Sequence, residues 1–106
     1  MTTWFVSRHP GAIDWIRKQG LAVDRWVKHL VTSEIQRGDI VIGVLPIPIA
    51  AAVCKKGARF FSLNVLLPEE LRGKELSAET LDKLGCTLSE FSVQYLGNPP
   101  CERSKS

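Results

Sequence analysis

The sequence has few cysteines and no long hydrophobic run. Its three cysteines, Cys54, Cys86 and Cys101, form no CxxC pair and leave one thiol unpaired in any disulfide scheme, which favours a reducing compartment. A membrane-spanning helix needs about 20 consecutive apolar residues, but the longest apolar stretch, residues 40–54, is broken by a glycine and two prolines. Residues 1–11 also lack the basic and apolar regions of a signal peptide. These absences predict a cytoplasmic protein that does not contact a membrane.

A strong excess of charge of one sign is absent as well. Fourteen Lys and Arg residues stand against eleven Asp and Glu residues, and neither half of the chain contains a polybasic segment. Binding to duplex nucleic acid is therefore not expected, whereas a compact anionic ligand held by a few placed groups is compatible with this balance. No set of Cys, His and carboxylate residues has metal-ligand spacing, so the sequence predicts neither a metal nor a cofactor.

The chain does contain a regular alternation of strand and helix patterns. Its 106 residues fit one domain, predicted over residues 1–96, and the polar, proline-containing residues 97–106 are predicted to be a flexible tail. Strand patterns occupy residues 3–6, 23–30, 40–45, 60–65 and 88–96. Helical patterns occupy residues 10–19, a second segment that starts near Pro46 and Pro48 and runs to Gly57, and residues 77–85, with shorter turns near residues 33–36 and 68–72.

This alternation predicts a single small Rossmann-like α/β domain with about five mostly parallel strands flanked by helices. Residues 40–45 are apolar on both faces, as in a central parallel strand that helices cover on both sides. We expect strand order 2-1-3-4-5, which places a topological switch between the first and third strands. The link between Leu30 and Asp39 is short for a parallel crossover, so the second strand is predicted to be either irregular or antiparallel.

Ligands of open α/β sheets bind beyond the carboxyl ends of the strands, at the switch point. The segment Ser7-Arg8-His9-Pro10-Gly11 follows the first strand, Pro46 follows the third, and Asn64 lies at the end of the fourth. Backbone N–H groups near Gly11 and Ala12 begin a helix and suit a phosphate. Arg8 suits bidentate contact with a phosphodiester, and His9 suits proton transfer near neutral pH.

Each of these residues also has a purely structural interpretation. Ser7 equally fits a helix cap, Arg8 a solvated surface position, and His9 a turn before proline. The segment SRHPGA matches neither GxGxxG nor GxxxxGK[ST]. His29 is interpreted as a surface residue of an outer strand, and the three tryptophans as core or interface residues. The residue pattern alone therefore indicates an anion site without choosing a reaction.

Four stretches carry a resemblance to a known family: TWFVSRHPGAIDW, QGLAVDR, GDIVIGVLP and LPEELRGKELSAETLDKLG. Together they resemble the small CRISPR-associated Csx family numbered sixteen, over about residues 3–91. That family accompanies type III CRISPR systems and is similar to CARF-type Rossmann-like domains. The resemblance implies a ring nuclease that degrades the second messenger cyclic tetra-adenylate and so switches off the effectors that the messenger activates.

The resemblance also implies a metal-independent reaction, in which a ribose 2′-OH attacks its adjacent phosphorus and leaves a 2′,3′-cyclic phosphate. On this interpretation Ser7 positions the substrate, Arg8 stabilises the phosphate, and His9 is a general acid or a hydrogen-bond donor to phosphate. The remaining residues expected to bind substrate are Pro10, Gly11, Ala12, Pro46 and Asn64.

Two other functions use the same features. A non-catalytic module would bind or sequester the cyclic nucleotide in the same crevice, and a scaffold would dock onto another CRISPR protein through its tryptophans. We also predict a homodimer, because a cyclic tetra-adenylate can adopt two-fold symmetry and so small a domain offers only a shallow crevice.

Overall fold

The five strands of the chain form one sheet in the order β2-β1-β3-β4-β5. The computed structural model describes residues 1–66, 68–71, 73 and 76–99. The strands are β1 (Thr3–Val6), β2 (Arg25–Val27), β3 (Ile40–Gly43), β4 (Arg59–Asn64) and β5 (Thr87–Phe91). The helices are α1 (Pro10–Lys18), α2 (Ile47–Lys55) and α3 (Ala78–Lys83), and single 3-10 turns cover Thr32–Glu34 and Glu69–Leu71.

The first four strands are parallel, and β5 is antiparallel to β4. Strands β1 and β3 are central and buried on both faces, as their continuous apolar sequence predicts. On one face Phe5 packs with Ile16 of α1, and on the other Val41 packs with Val53 of α2. The predicted α/β class and strand order are confirmed.

The prediction that the second strand is irregular or antiparallel is wrong. Strand β2 is regular and parallel to β1. It covers only three residues and ends at Val27, whereas the prediction extended it to Leu30. The crossover to β3 therefore begins at Lys28 and contains about a dozen residues, enough for a parallel connection.

The last strand is also shorter than predicted, since β5 ends at Phe91 rather than at Leu96. After Phe91 the chain no longer pairs with β4 and instead runs along α2, where the Val93 N–H donates to the Cys54 thiol at 3.4 Å. Of the predicted tail, residues 100–106 lie outside the described residues, as does Arg72 of the predicted turn. Among the described residues, no helix is long and apolar enough to cross a membrane.

Helix α1 is held close to the segment that precedes α3 by a glycine. A Cβ atom on Gly11 would lie 1.6 Å from the carbonyl oxygen of Leu76. Helix α3 begins at the predicted N-cap Ser77, whose hydroxyl accepts a hydrogen bond from Thr80 N–H at 3.1 Å. The glycine therefore lets α1 lie close to the start of α3 on the sheet face that contains Phe5.

Asp39 fastens the start of β3 to the N-terminal strand. The residue is buried, and its carboxylate accepts hydrogen bonds from Thr2 N–H, Gln36 N–H and Trp4 Nε1 at 2.9, 2.9 and 3.1 Å. Burial alone would raise the pKa of Asp39, but these hydrogen bonds and the N-terminal charge outweigh it and lower the pKa below the usual 3.8.

This lowered pKa predicts a loss of stability in acid. The ionised Asp39 stabilises the fold above the unfolded-state pKa, and this contribution disappears as the pH falls through the lower, folded-state pKa. We expect Asp39→Asn to lower the free energy of unfolding at pH 7 by about 1–3 kcal/mol. Urea unfolding at pH 7 and pH 3 should show a smaller deficit of the variant at pH 3. An equal deficit at both pH values would contradict this account.

Candidate functional site

A cavity of about 480 Å³ lies beyond the carboxyl ends of the three neighbouring strands β2, β1 and β3. In the sheet, Val6 of β1 is paired with Val27 of β2 and with Gly43 of β3. The three strands therefore end level with one another, and the segments that follow them converge on one edge. This is the topological switch point that the strand order predicts.

The lining of this cavity combines cations and imidazoles with an apolar surface. The polar residues are Ser7, Arg8, His9, Lys28 and His29. The apolar residues are Val6, Ala12, Leu30, Val44, Leu45, Pro46, Ile49 and Leu63. None of the described residues that line the cavity is acidic. This composition suits a ligand that carries negative charge and also presents an apolar surface, as a nucleotide does.

The side chains of Arg8, Lys28 and His29 are available to such a ligand. Within the described part of the chain, these three side chains have no hydrogen-bond or ion-pair partner. Arg59 of β4, by contrast, forms a bidentate ion pair with Glu90 at 2.8 and 2.9 Å. The cavity thus holds two cations, Arg8 and Lys28, that form no ion pair with any residue in the described part of the chain.

The loop after β1 is held in shape by Ser7. The Ser7 N–H donates to Val27 O at 3.0 Å, which extends the ladder between β1 and β2 by one residue. The Ser7 hydroxyl accepts a hydrogen bond from His9 N–H at 3.0 Å. The helix cap is His9 rather than Ser7, so the hydroxyl orders the turn that presents Arg8 and His9.

Of the substrate-binding residues predicted from the sequence, Ala12 and Pro46 line the cavity beside Ser7, Arg8 and His9. The Ala12 N–H already donates to His9 O at 3.1 Å, so Ala12 is not the free phosphate donor that the helix pattern predicts. It contributes apolar surface instead.

Pro10, Gly11 and Asn64 do not line the cavity. Pro10 is exposed in the first turn of α1, and Gly11 is buried against Leu76. The Asn64 side chain accepts a hydrogen bond from the Ser62 hydroxyl at 2.8 Å. Because side chains alternate along a strand, the neighbouring residue Leu63 reaches the cavity in place of Asn64.

Lys28 and His29 line the cavity but are not among the site residues predicted from the sequence. His29 is exposed, as predicted for a surface residue, but it does not belong to the outer strand, which the sequence predicts to continue to Leu30. Since β2 ends at Val27, both residues belong to the segment that leaves the carboxyl edge beside Ser7 and Arg8. Pairing the second strand with the first in parallel register would have found them, since Val6 and Val27 are partners.

Gly43 lets the ends of β1 and β3 approach each other at this edge. A Cβ atom at this position would lie 2.6 Å from the Val6 carbonyl oxygen, which no ordinary side chain tolerates. The sequence marks the position only as a glycine inside an apolar strand, a pattern that indicates close backbone approach.

The fold and the site together define a Rossmann-like α/β domain with a cationic cavity at its switch point. Residues 4–94 match the family described as "Putative CRISPR-associated protein (Cas_VVA1548)". The chain belongs to this CRISPR-associated family. No curated protein and no solved structure matches the chain significantly. Among the residues that the structure describes, no group of three or more His, Cys, Asp or Glu side chains could hold a metal ion.

Proposed function

We propose that the protein is a ring nuclease that cleaves cyclic tetra-adenylate, the second messenger of type III CRISPR systems, and so switches off the response. The observation that supports this most is the cavity, which is lined by Arg8, Lys28 and the imidazole of His9. Neither cation has an ion-pair partner among the residues that the structure describes. A CRISPR-associated chain with such a cavity at its switch point is suited to an anionic nucleotide ring.

The cavity contains groups for two of the roles that this chemistry requires, phosphorane stabilisation and protonation of the leaving oxygen. A ribose 2′-oxygen forms a bond to the adjacent phosphorus, and the bond from phosphorus to the 5′-oxygen breaks. The products are a 2′,3′-cyclic phosphate and a 5′-OH. Arg8 stabilises the negative charge that develops on the phosphorane, and His9 donates a proton to the departing 5′-oxygen.

The rest of the cavity binds and orients the ring. The turn formed by Ser7 holds Arg8 and His9 in place before substrate arrives, which lowers the cost of reaching the in-line geometry. Apolar residues after β3, among them Val44 and Pro46, offer contact area for adenine and ribose.

We further propose that the active protein is a homodimer in which two cavities face each other across the two-fold axis of the ring. Val44, at the cavity, and Ile47 beside it are 70% and 72% exposed, and a facing subunit would cover them. Light scattering should give about twice the chain mass of 11.8 kDa. A monomer both with and without cyclic tetra-adenylate would contradict this arrangement.

The function is tested by incubating purified protein, in excess and with EDTA, with radiolabelled cyclic tetra-adenylate. We expect a linear product with a 2′,3′-cyclic phosphate. Because one cut consumes no water, that product keeps the mass of the ring and is separated from it by chromatography. Retention of the intact ring would instead identify a sequestering module. Loss of activity in EDTA, restored by Mg²⁺ or Mn²⁺, would contradict the metal-independent reaction.

A further inference from the structure

Both histidines of the chain line the same cavity, although they come from different segments. His9 ends the loop after β1, and His29 lies in the segment after β2. The reaction proposed above uses only His9. It leaves unassigned the group that removes the proton from the attacking 2′-OH.

The sheet register explains how His29 reaches the site. Val6 and Val27 are partners in parallel strands, and the Ser7 N–H continues the ladder to Val27 O at 3.0 Å. Arg8 and His29 each lie two residues beyond that pair. The two segments therefore leave the sheet side by side, and together they form two walls of one cavity.

We infer that His29 is the second proton-transfer residue of the site, acting as general base opposite His9, with Lys28 as a second phosphate contact beside Arg8. This inference rests on the proposed ring-nuclease function. It deepens that function by requiring a ribonucleotide phosphodiester held between two imidazoles.

The proton balance of the step is complete with these two groups. Neutral His29 takes the proton of the 2′-OH as the oxygen bonds to phosphorus, and protonated His9 gives its proton to the 5′-oxygen as that bond breaks. The enzyme ends with both imidazoles in the opposite protonation states, and exchange with water restores them. No metal, oxidant or further reactant is consumed.

Each of the two walls contributes one cation that can bind a phosphate. Arg8 and Lys28 approach from adjacent segments, and no acidic side chain among the described lining residues competes with the ligand for them. A phosphodiester between them receives cationic contacts from both sides. Its ribose is then left between the two histidines.

The experiment compares His29→Ala, His29→Gln and His9→Ala on cyclic tetra-adenylate and on a ring with sulfur in place of one 5′-oxygen. A thiolate leaves without a proton, so the sulfur ring bypasses a missing acid but not a missing base. We expect His29→Ala to lower the single-turnover rate about 10²–10⁴-fold on both rings. His9→Ala should recover most of its rate at the sulfur-containing linkage only.

Further measurements distinguish failure of the proposed role of His29 from failure of the proposed ring-nuclease function. Binding of the intact ring should change little in His29→Ala, and added imidazole should restore part of its rate. Lys18→Ala, at the far end of α1, is the control for Lys28→Ala, which should weaken ring binding.

Cleavage by wild type together with unchanged rates in both His29 variants would overturn this inference and leave the proposed function intact. A wild-type protein that cleaves no ring would overturn both.

Discussion

Arg8→Ala is expected to slow the cleavage of cyclic tetra-adenylate by about 10²–10³-fold, the size of effect found when one preorganised oxyanion donor is removed. Arg8 lines the cavity and has no hydrogen-bond or ion-pair partner among the described residues. Its charge is therefore available to the phosphorane as negative charge develops. Ring binding should weaken as well, since the phosphate is already charged before reaction. Single-turnover rates and equilibrium binding of the intact ring separate the two effects.

The matched control for Arg8 is Lys55→Ala. Lys55 is also a cation, but it lies at the carboxyl end of α2 and does not line the cavity. We expect that variant to keep wild-type turnover. A lower melting temperature in Arg8→Ala with unchanged turnover per folded molecule would mean that Arg8 has only a structural role.

His9→Ala is expected to lower the single-turnover rate by about 10²–10⁴-fold, because the departing 5′-oxygen then loses its proton donor. The His9 side chain does not cap α1, so its removal should cost little stability. Thermal unfolding of the variant checks this, and the rate of one turnover measures the chemistry.

A much smaller effect would contradict the role of His9 as general acid. A rate within about tenfold of wild type, smaller than general-acid loss predicts, would indicate that the imidazole only donates a hydrogen bond to phosphate. His9→Gln distinguishes these cases, since an amide retains a hydrogen-bond donor but transfers no proton.

The central strands of this fold are predicted well from the sequence, because they are buried on both faces and are therefore apolar at consecutive positions. Strands β1 and β3 are apolar at consecutive positions, and only a central parallel strand places such residues inside the protein. Helix starts and stops are equally local, as the Ser77 cap and the turn at Gly85 confirm. The α/β class follows from these local signals, and the strand order is predicted from the simple doubly wound pattern of that class.

The ends of the edge strands are predicted poorly, for a physical reason. An edge strand pairs on one side only, so its hydrophobic pattern does not say where pairing stops. The sequence therefore extends β2 to Leu30, although pairing ends at Val27. Because of this error the prediction assigns Lys28 and His29 to the strand, whereas they follow its end at Val27 and line the cavity.

The site is predicted in part. Residues in the loop directly after β1 reach the cavity because the switch point itself determines where that loop lies. Gly11 and Asn64 do not, because their surroundings depend on contacts with distant or alternating residues. Gly11 is needed for close packing against Leu76, and the pleat of β4 turns Leu63 rather than Asn64 towards the cavity.

The proposed function requires that the cavity beyond β2, β1 and β3 binds a cyclic ribonucleotide for cleavage. A crystal structure of His9→Ala with intact cyclic tetra-adenylate tests it most directly. We expect the ring in this cavity, with a phosphate in contact with Arg8 and Lys28 and a ribose 2′-OH facing His29. A ring seated instead in the groove between α2 and residues 92–96, or an empty cavity at saturating ligand, would contradict it.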